Sequence, residues 1–396
     1  MYKRLTRLLA GKLHLYIGLW FGAVFVMLGL TGSVIAWLPE LDARLNPALL
    51  HAAPRTAADV MLAPQAVIDR LGADPAYGKP AQLILPAHRH DVYVASYRRP
   101  QPKASPQASW SMAQAVTRQV MIDPYSLQVK GERDWGRFGL SNPLLMSSLF
   151  HLHRYLVAGE VGKTIIGISG LALLTMALSG IVLWWPRPNW PALRRALRVS
   201  HGGSWPRFHH SLHRTTGFFA MPVLAVLAFS GLYFNLPQWV LPVVGTLAQL
   251  SPSGKLSNTT SRGEQIDVAQ AVSAAQRLFP GARVSRIALP ATGSMPYEIR
   301  LRQETEVARG DGATRVTLDA FSGKPLRIRN PLQAPAGERF LGWLFPLHSG
   351  QAFGVGGRIF ISVFGLIPLV FFLTGVLVWR KKRGRKAARV DNRIVG

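Results

Sequence analysis

The chain has 396 residues, 48% of them hydrophobic, and a mean hydropathy of +0.16. The absence of cysteine excludes a disulfide framework and any thiolate metal site, so redox chemistry must rest on histidine or a bound cofactor. The formal net charge of +27 invites a nucleic-acid partner, but 18 of the basic residues, against one acid, lie in three short segments beside apolar runs. That excess is a topology signal, so no nucleic-acid partner is expected, and the remaining charge of about +10 favours anionic partners.

The first apolar run, 15–38, holds no charged residue and follows Lys3, Arg4, Arg7 and Lys12. It exceeds a signal-peptide core, and no small-x-small cleavage site follows the apolar stretch before Pro39-Glu40, so it reads as an uncleaved anchor. An α+β unit follows: a helix at 63–71, strands at 81–85, 91–97 and 118–123, and a turn through Asp123, Pro124 and Ser126 into one more strand. A polar spacer interrupts it at 100–109. An interfacial helix at 143–157 then turns at 159–162 into the second run, 164–185. Arg187, Arg194, Arg195, Arg198, Arg207 and Arg214 separate it from the third run, 215–236. A second α+β unit has a helix at 268–278, strands at 283–289, 297–302 and 314–319, and a spacer at 251–263. The fourth run, 359–379, is followed by a tail of eight Lys and Arg residues. Each run holds about 20 residues or more, enough to cross a hydrocarbon core of roughly 30 Å. Short basic segments stay in the cytoplasm. Both termini and the middle loop are therefore expected inside and the two α+β units outside.

The chain reads as a repeat. Leu13-His14, Gly18 and Gly32 recur as Leu212-His213, Gly217 and Gly231, at a constant offset of 199. Leu152-His153, Gly162-Lys163, Gly170, Gly180 and Trp184 recur as Leu347-His348, Gly357-Arg358, Gly365, Gly375 and Trp379, at an offset of 195. The expected fold is an α-helical membrane protein with four transmembrane helices and two outside α+β domains, built by internal two-fold duplication. Its segments are 1–38, cytoplasmic start and first span; 39–148, first outside domain; and 149–186, interfacial helix and second span. Then come 187–212, cytoplasmic loop; 213–237, third span; 238–345, second outside domain; 346–380, interfacial segment and fourth span; and 381–396, basic tail. Both halves run the same way, so a pseudo-two-fold axis should follow the membrane normal.

The repeat singles out four of eleven histidines: His14 and His213 at the inner ends of their helices, His153 and His348 at the outer ends. A two-fold axis brings equivalent positions face to face, one pair per membrane side. Two imidazoles without a carboxylate or thiolate beside them suit an axial histidine–iron–histidine haem better than zinc, which takes three or four protein ligands. Gly18 and Gly217, one turn on, would let a flat macrocycle approach the backbone. His209, four residues before His213, and His151, beside His153, remain alternative ligands. Lys163 and Arg358 are candidates to neutralise haem propionates, or else mark the interface. Residues 159–164 imitate the end of a phosphate loop, but Val157 stands where that pattern needs glycine. Trp110, Trp135, Trp190 and Trp343 read as an interfacial belt or as ligand platforms.

The paired Leu-His helices, the outer His ahead of Gly-Lys or Gly-Arg, and the Val-x-Ile/Leu-Asp-x-Tyr/Phe-Ser turns of the outside units resemble the PepSY-associated transmembrane family across essentially the whole chain. Its best-understood members are inner-membrane ferric-siderophore reductases, such as those for ferrioxamine. The resemblance implies two haem b groups, held by His14 with His213 and by His153 with His348, and PepSY-like domains in the periplasm. It implies a ferric siderophore as substrate, reduced to release Fe(II) for iron uptake, because ferric iron is held far more tightly than ferrous iron by oxygen chelators. Electrons would come from quinol or a cytoplasmic reductant, inside an inner-membrane lipid bilayer, and leave near His151, Arg154 and Tyr155. Two other readings compete: haem-mediated electron transfer to a different periplasmic acceptor, such as Cu(II), a flavin or a partner protein, and a non-enzymatic siderophore permease or partner-binding module.

Overall fold

A computed structural model describes residues 2–394 except 55, 57, 99–115, 202–203, 253 and 260–262, so the spacer at 100–109 and Trp110 lie outside the described residues. Among the described residues four helices are long and apolar enough to cross a membrane: Arg4–Ile35, Gly159–Trp184, Trp205–Asn235 and Gln351–Lys381. The first begins well ahead of its apolar run, because the Lys-, Arg- and Leu-rich turns before it are strong helix formers. The third does the same, starting at Trp205 with a proline in its first turn, where the missing N–H costs nothing. The fourth span is broken. A helix Gly354–Phe364 ends at Gly365-Leu366, and Ile367–Ile394 starts a new one with Pro368 in its first turn. At that break the backbones of the first and fourth spans touch. A Cβ on Gly29 would overlap the Gly365 carbonyl, and one on Gly365 would overlap the Ser33 hydroxyl.

A helix precedes the second span and another precedes the fourth: Asn142–Tyr155 and Ala336–His348. The reversal expected near 159–162 falls at Leu156, Val157 and Gly159, all with left-handed backbones (φ 49°, 53° and 53°). In the second half Gly350 and Gly354 take that role (φ 76° and 63°). The first outer helix agrees with the interfacial helix expected at 143–157 to within two residues, while the second starts well before the interfacial segment expected from 346.

The strands are β1 (Gln82–Ile84), β2 (Tyr93–Arg98), β3 (Thr117–Ile122), β4 (Val129–Trp135), β5 (Arg283–Ala288), β6 (Tyr297–Arg302), β7 (Thr314–Leu318) and β8 (Pro325–Arg329). They form one antiparallel sheet in the order β4-β3-β2-β1-β5-β6-β7-β8. The two α+β units are therefore not separate domains. β1 pairs with β5, Leu83 opposite Ile287, and this closes the edge that each four-stranded half would leave open. The helices Pro64–Gly72 and Val268–Leu278 cover one face. Val67, Leu71, Leu83, Ala271, Ile287 and Tyr297 share a single core beneath them. Gln65 of the first helix even accepts a bond from the Val268 amide at the start of the second, 2.7 Å. Both expected turns form. Asp123 Oδ1 accepts from the Tyr125 and Ser126 amides, and Asp319 Oδ1 from those of Phe321 and Ser322.

Candidate functional site: two imidazole pairs

His14 and His213 face one another with ring centroids 6.2 Å apart and planes at 79°. His153 and His348 do the same at 6.3 Å and 77°. His14 lies on the first span and His213 on the third, while His153 and His348 come from the last turn of each outer helix. Seventeen residues separate His14 from Thr31, which bonds His153. At about 1.5 Å per residue the two pairs stand roughly 25 Å apart along the bundle.

Each ring is held from behind. Nδ1 of His14 bonds Ser179 Oγ at 3.1 Å, and that of His213 bonds Thr374 Oγ1 at 2.9 Å. Nδ1 of His153 bonds Thr31 Oγ1 at 3.0 Å, and that of His348 bonds Ser230 Oγ at 2.7 Å. A hydroxyl has one proton, and each of these four donates it to a carbonyl of its own helix: Thr31 to Met27 (2.7 Å), Ser179 to Met176 (3.1 Å), Ser230 to Val226 (2.6 Å) and Thr374 to Val370 (2.7 Å). The oxygen is then left as an acceptor. Nδ1 therefore carries the ring proton, and Nε2 keeps its lone pair for whatever lies between the rings. Burial and the neighbouring His348 push His153 down to about 3, and burial pushes His348 down to about 4, so both are neutral at physiological pH.

A glycine follows every one of these hydroxyl residues. A Cβ on Gly32 would come to 3.1 Å from His153 Cε1, one on Gly180 to 3.5 Å from His14 Cε1, and one on Gly375 to 3.8 Å from His213 Cε1. Of the two glycines expected to let a flat macrocycle approach the backbone, a Cβ on Gly18 would meet Met176 at 3.3 Å, while Gly217 faces open space with nothing within 4 Å. The pairs Thr31-Gly32, Ser179-Gly180, Ser230-Gly231 and Thr374-Gly375 were missed from sequence as ring-bonding partners. Their signal was present, since Thr31 and Ser230 are 199 apart and Ser179 and Thr374 are 195 apart.

The alternatives fall outside the pairs. His151 turns its Nδ1 to the Ser147 carbonyl (2.8 Å) and stacks on Tyr155 at 5.6 Å. His209 packs edge-on against Trp205 at 4.3 Å, with neither ring nitrogen bonded. Lys163 is ion-paired with Glu160 at 2.9 Å. Arg358 bonds Glu40 and the Ala36 carbonyl and lies over the Trp37 ring. The cation acting on the outer pair is Arg154, whose guanidinium reaches the Phe234 carbonyl and the Tyr155 hydroxyl. Of the tryptophans, Trp190 is exposed, Trp343 is half exposed, and Trp135 packs against His151 and Arg133.

The spacing fits a metal between the rings. Metal–imidazole bonds of about 2.0–2.1 Å, with roughly 1.1 Å from nitrogen to ring centre, put the centroids of a linear unit about 6.3 Å apart. Among the described residues no group of three or more His, Asp or Glu side chains is placed to hold a metal ion. No curated protein matches the chain. The model of the PepSY-associated TM region matches residues 12–382, so this membrane protein belongs to the PepSY-associated transmembrane family.

Proposed function

We propose that the protein is a duplicated inner-membrane electron carrier that binds one haem b between each imidazole pair and reduces ferric siderophores in the periplasm, releasing Fe(II) for uptake. The observation that carries this reading is the presence of two imidazole pairs at axial-ligand spacing, each ring with its Nδ1 tied to a hydroxyl. Bound haem supplies one-electron chemistry, the transfer that iron release from a ferric chelate requires. The chain's own part is to hold the rings, exclude other ligands and set their basicity. The four histidines would ligate the iron, the four hydroxyls would orient them, and Arg154 would balance propionate charge at the outer site. The bundle would carry electrons outward from quinol or a cytoplasmic reductant, and the sheet would receive the acceptor. The matched offsets of 199 and 195 and the mirrored strand order support duplication. The basic segments support cytoplasmic termini and a periplasmic sheet.

The test is a pyridine haemochrome assay on protein purified after expression with ample haem. About two b haems per chain are expected. A value near one leaves a single pair as a binding site. None at all overturns the reading and shifts the weight to transport or partner binding.

A further inference from the structure

One face of the sheet carries the cores of both halves; the other face of its second half carries a row of arginines. β6 alternates strictly. Tyr297, Ile299 and Leu301 are buried in the core, so Arg300 and Arg302 point the opposite way. Register then lines up Arg286, Arg300, Arg315 and Arg329 directly across β5, β6, β7 and β8, with Arg283 opposite Arg302 one step along. All six are half-buried. Like charges directly opposite on a sheet repel, and burial removes the water that would screen them.

The chain provides few counter-charges. Asp311 pairs with Arg286 and lies 3.8 Å from Arg300, and Glu298 acts on Arg300 and Arg315. Burial, then the neighbouring guanidinium groups, holds Arg300 and Arg315 below the usual arginine range. The Nε atoms of Arg286, Arg300 and Arg302 are buried without any hydrogen-bond partner. Unsatisfied buried donors of one sign, on adjacent strands, are a site awaiting an acceptor-rich anion.

Its position is as telling as its charge. Arg315 and Arg329 lie within electrostatic reach of Tyr233 at the end of the third span. Arg302 also lines a cavity of about 350 Å³ together with Glu304, Arg309, Trp343 and Ala352. Trp343 belongs to the helix that ends in His348, so one wall of this cavity comes from the helix that carries a ring of the outer imidazole pair. Its volume falls in the range of small-molecule sites. Glu306, also at its wall, is already engaged by the Ala313 amide and the Thr314 hydroxyl.

The geometry points to a binding site for a small, multiply charged, oxygen-donor anion on the arginine row and its adjoining cavity, suited to a ferric chelate with carboxylate or catecholate arms rather than a cationic or neutral one. It rests on the electron-transfer reading only in calling that ligand the acceptor; the binding itself requires no haem.

The test uses the full-length protein in neutral detergent with gallium(III) citrate, a redox-inert stand-in for a ferric carboxylate chelate. Wild type should bind it with an affinity that falls steeply with added salt, and binding should raise the thermal midpoint. Arg300→Gln combined with Arg315→Gln should weaken binding by about tenfold or more, the scale of one charge-assisted contact. The same pair of substitutions should raise the midpoint of the ligand-free protein, because it relieves repulsion. Arg70→Gln, on a helix on the opposite face of the sheet, should change neither. Haem per chain, measured in parallel, should stay at the wild-type value. Unchanged gallium citrate binding in the double variant overturns the proposal. So does loss of haem from that variant, which would make the row a propionate site. Displacement of gallium citrate by vesicles of phosphatidylglycerol but not of phosphatidylcholine, with lost lipid retention in the variant, would assign the row to lipid headgroups and overturn it as well.

Discussion

Thr31 and His153 meet across two helices at 3.0 Å, and the same threonine hydroxyl is committed to the Met27 carbonyl at 2.7 Å. One oxygen therefore sets the tautomer of a ring 122 residues away. Thr31→Val keeps the shape and removes the acceptor, leaving a buried N–H unpaired. It should weaken cofactor retention at the outer pair by about 10–100-fold and shift its midpoint potential, while the inner pair is unaffected. Haem per chain and a potentiometric titration read the two effects. Ser230→Ala should reproduce this pattern, and Ser179→Ala and Thr374→Val should move it to the inner pair.

The pairing itself is open to substitution. His14→Ala and His213→Ala should abolish the same haem, and His153→Ala and His348→Ala the other, whereas His151→Ala and His209→Ala should leave both. Visible spectra of the six purified variants decide it; six different fractional losses would contradict the pairing. With haem bound between them, the near-perpendicular ring planes, 79° and 77°, would leave the iron dπ orbitals close to degenerate. The ferric low-spin EPR signal of each site should accordingly be strongly anisotropic.

Backbone contact between the first and fourth spans leaves no room at Gly29. Gly29→Ala should cost at least about 1–3 kcal/mol, the scale of overpacking, read as a lowered melting midpoint in detergent. Gly217→Ala, facing open space, should be tolerated.

Asp42 and Arg133 form an ion pair at 2.8 Å with both side chains only 6% exposed, tying β4 to the helix that follows the first span. Asp42→Ala should destabilise by about 3–5 kcal/mol, because it strands a buried guanidinium, and adding Arg133→Met should recover much of that. Urea titration of the three proteins measures it.

Asp319 accepts from the Thr259 amide and hydroxyl as well as from its own turn. Burial alone would raise its pKa; these donors outweigh it and hold the carboxyl well below the usual carboxylate range. The unfolded chain then takes up a proton first as pH falls through about 4, so this contribution is complete above that pH and drains away below it. Thermal midpoints by circular dichroism from about pH 7 to about pH 3 should show a slope that Asp319→Asn flattens.

Much of this was legible in the sequence, for identifiable reasons. The helix 268–278 has a complete capping box at Asp267 and Gln270, and β6 alternates without a fault, so both agree with the reading residue for residue. The four histidines were found because the repeat marks them. The hydroxyls behind them escaped because Ser and Thr in apolar helices read as packing, although the offsets tie them to the same repeat. The helix starts were placed late because hydropathy registers bilayer contact, and polar turns such as Trp205–Arg214 continue the same helix without it. The union of two α+β units into one sheet was invisible, since β1 is three residues long and its choice of β5 is set by an edge far along the chain, with Leu83 pairing to Ile287, 204 residues on.

Each imidazole pair draws one ring from the first half of the chain and one from the second. Neither half can hold a bridging group by itself. Whatever seats itself between the rings is therefore also a rivet, fastening one half of the bundle to the other at both ends. Losing it would loosen a joint as well as empty a pocket, and cofactor supply would then govern how firmly the two halves stay clasped.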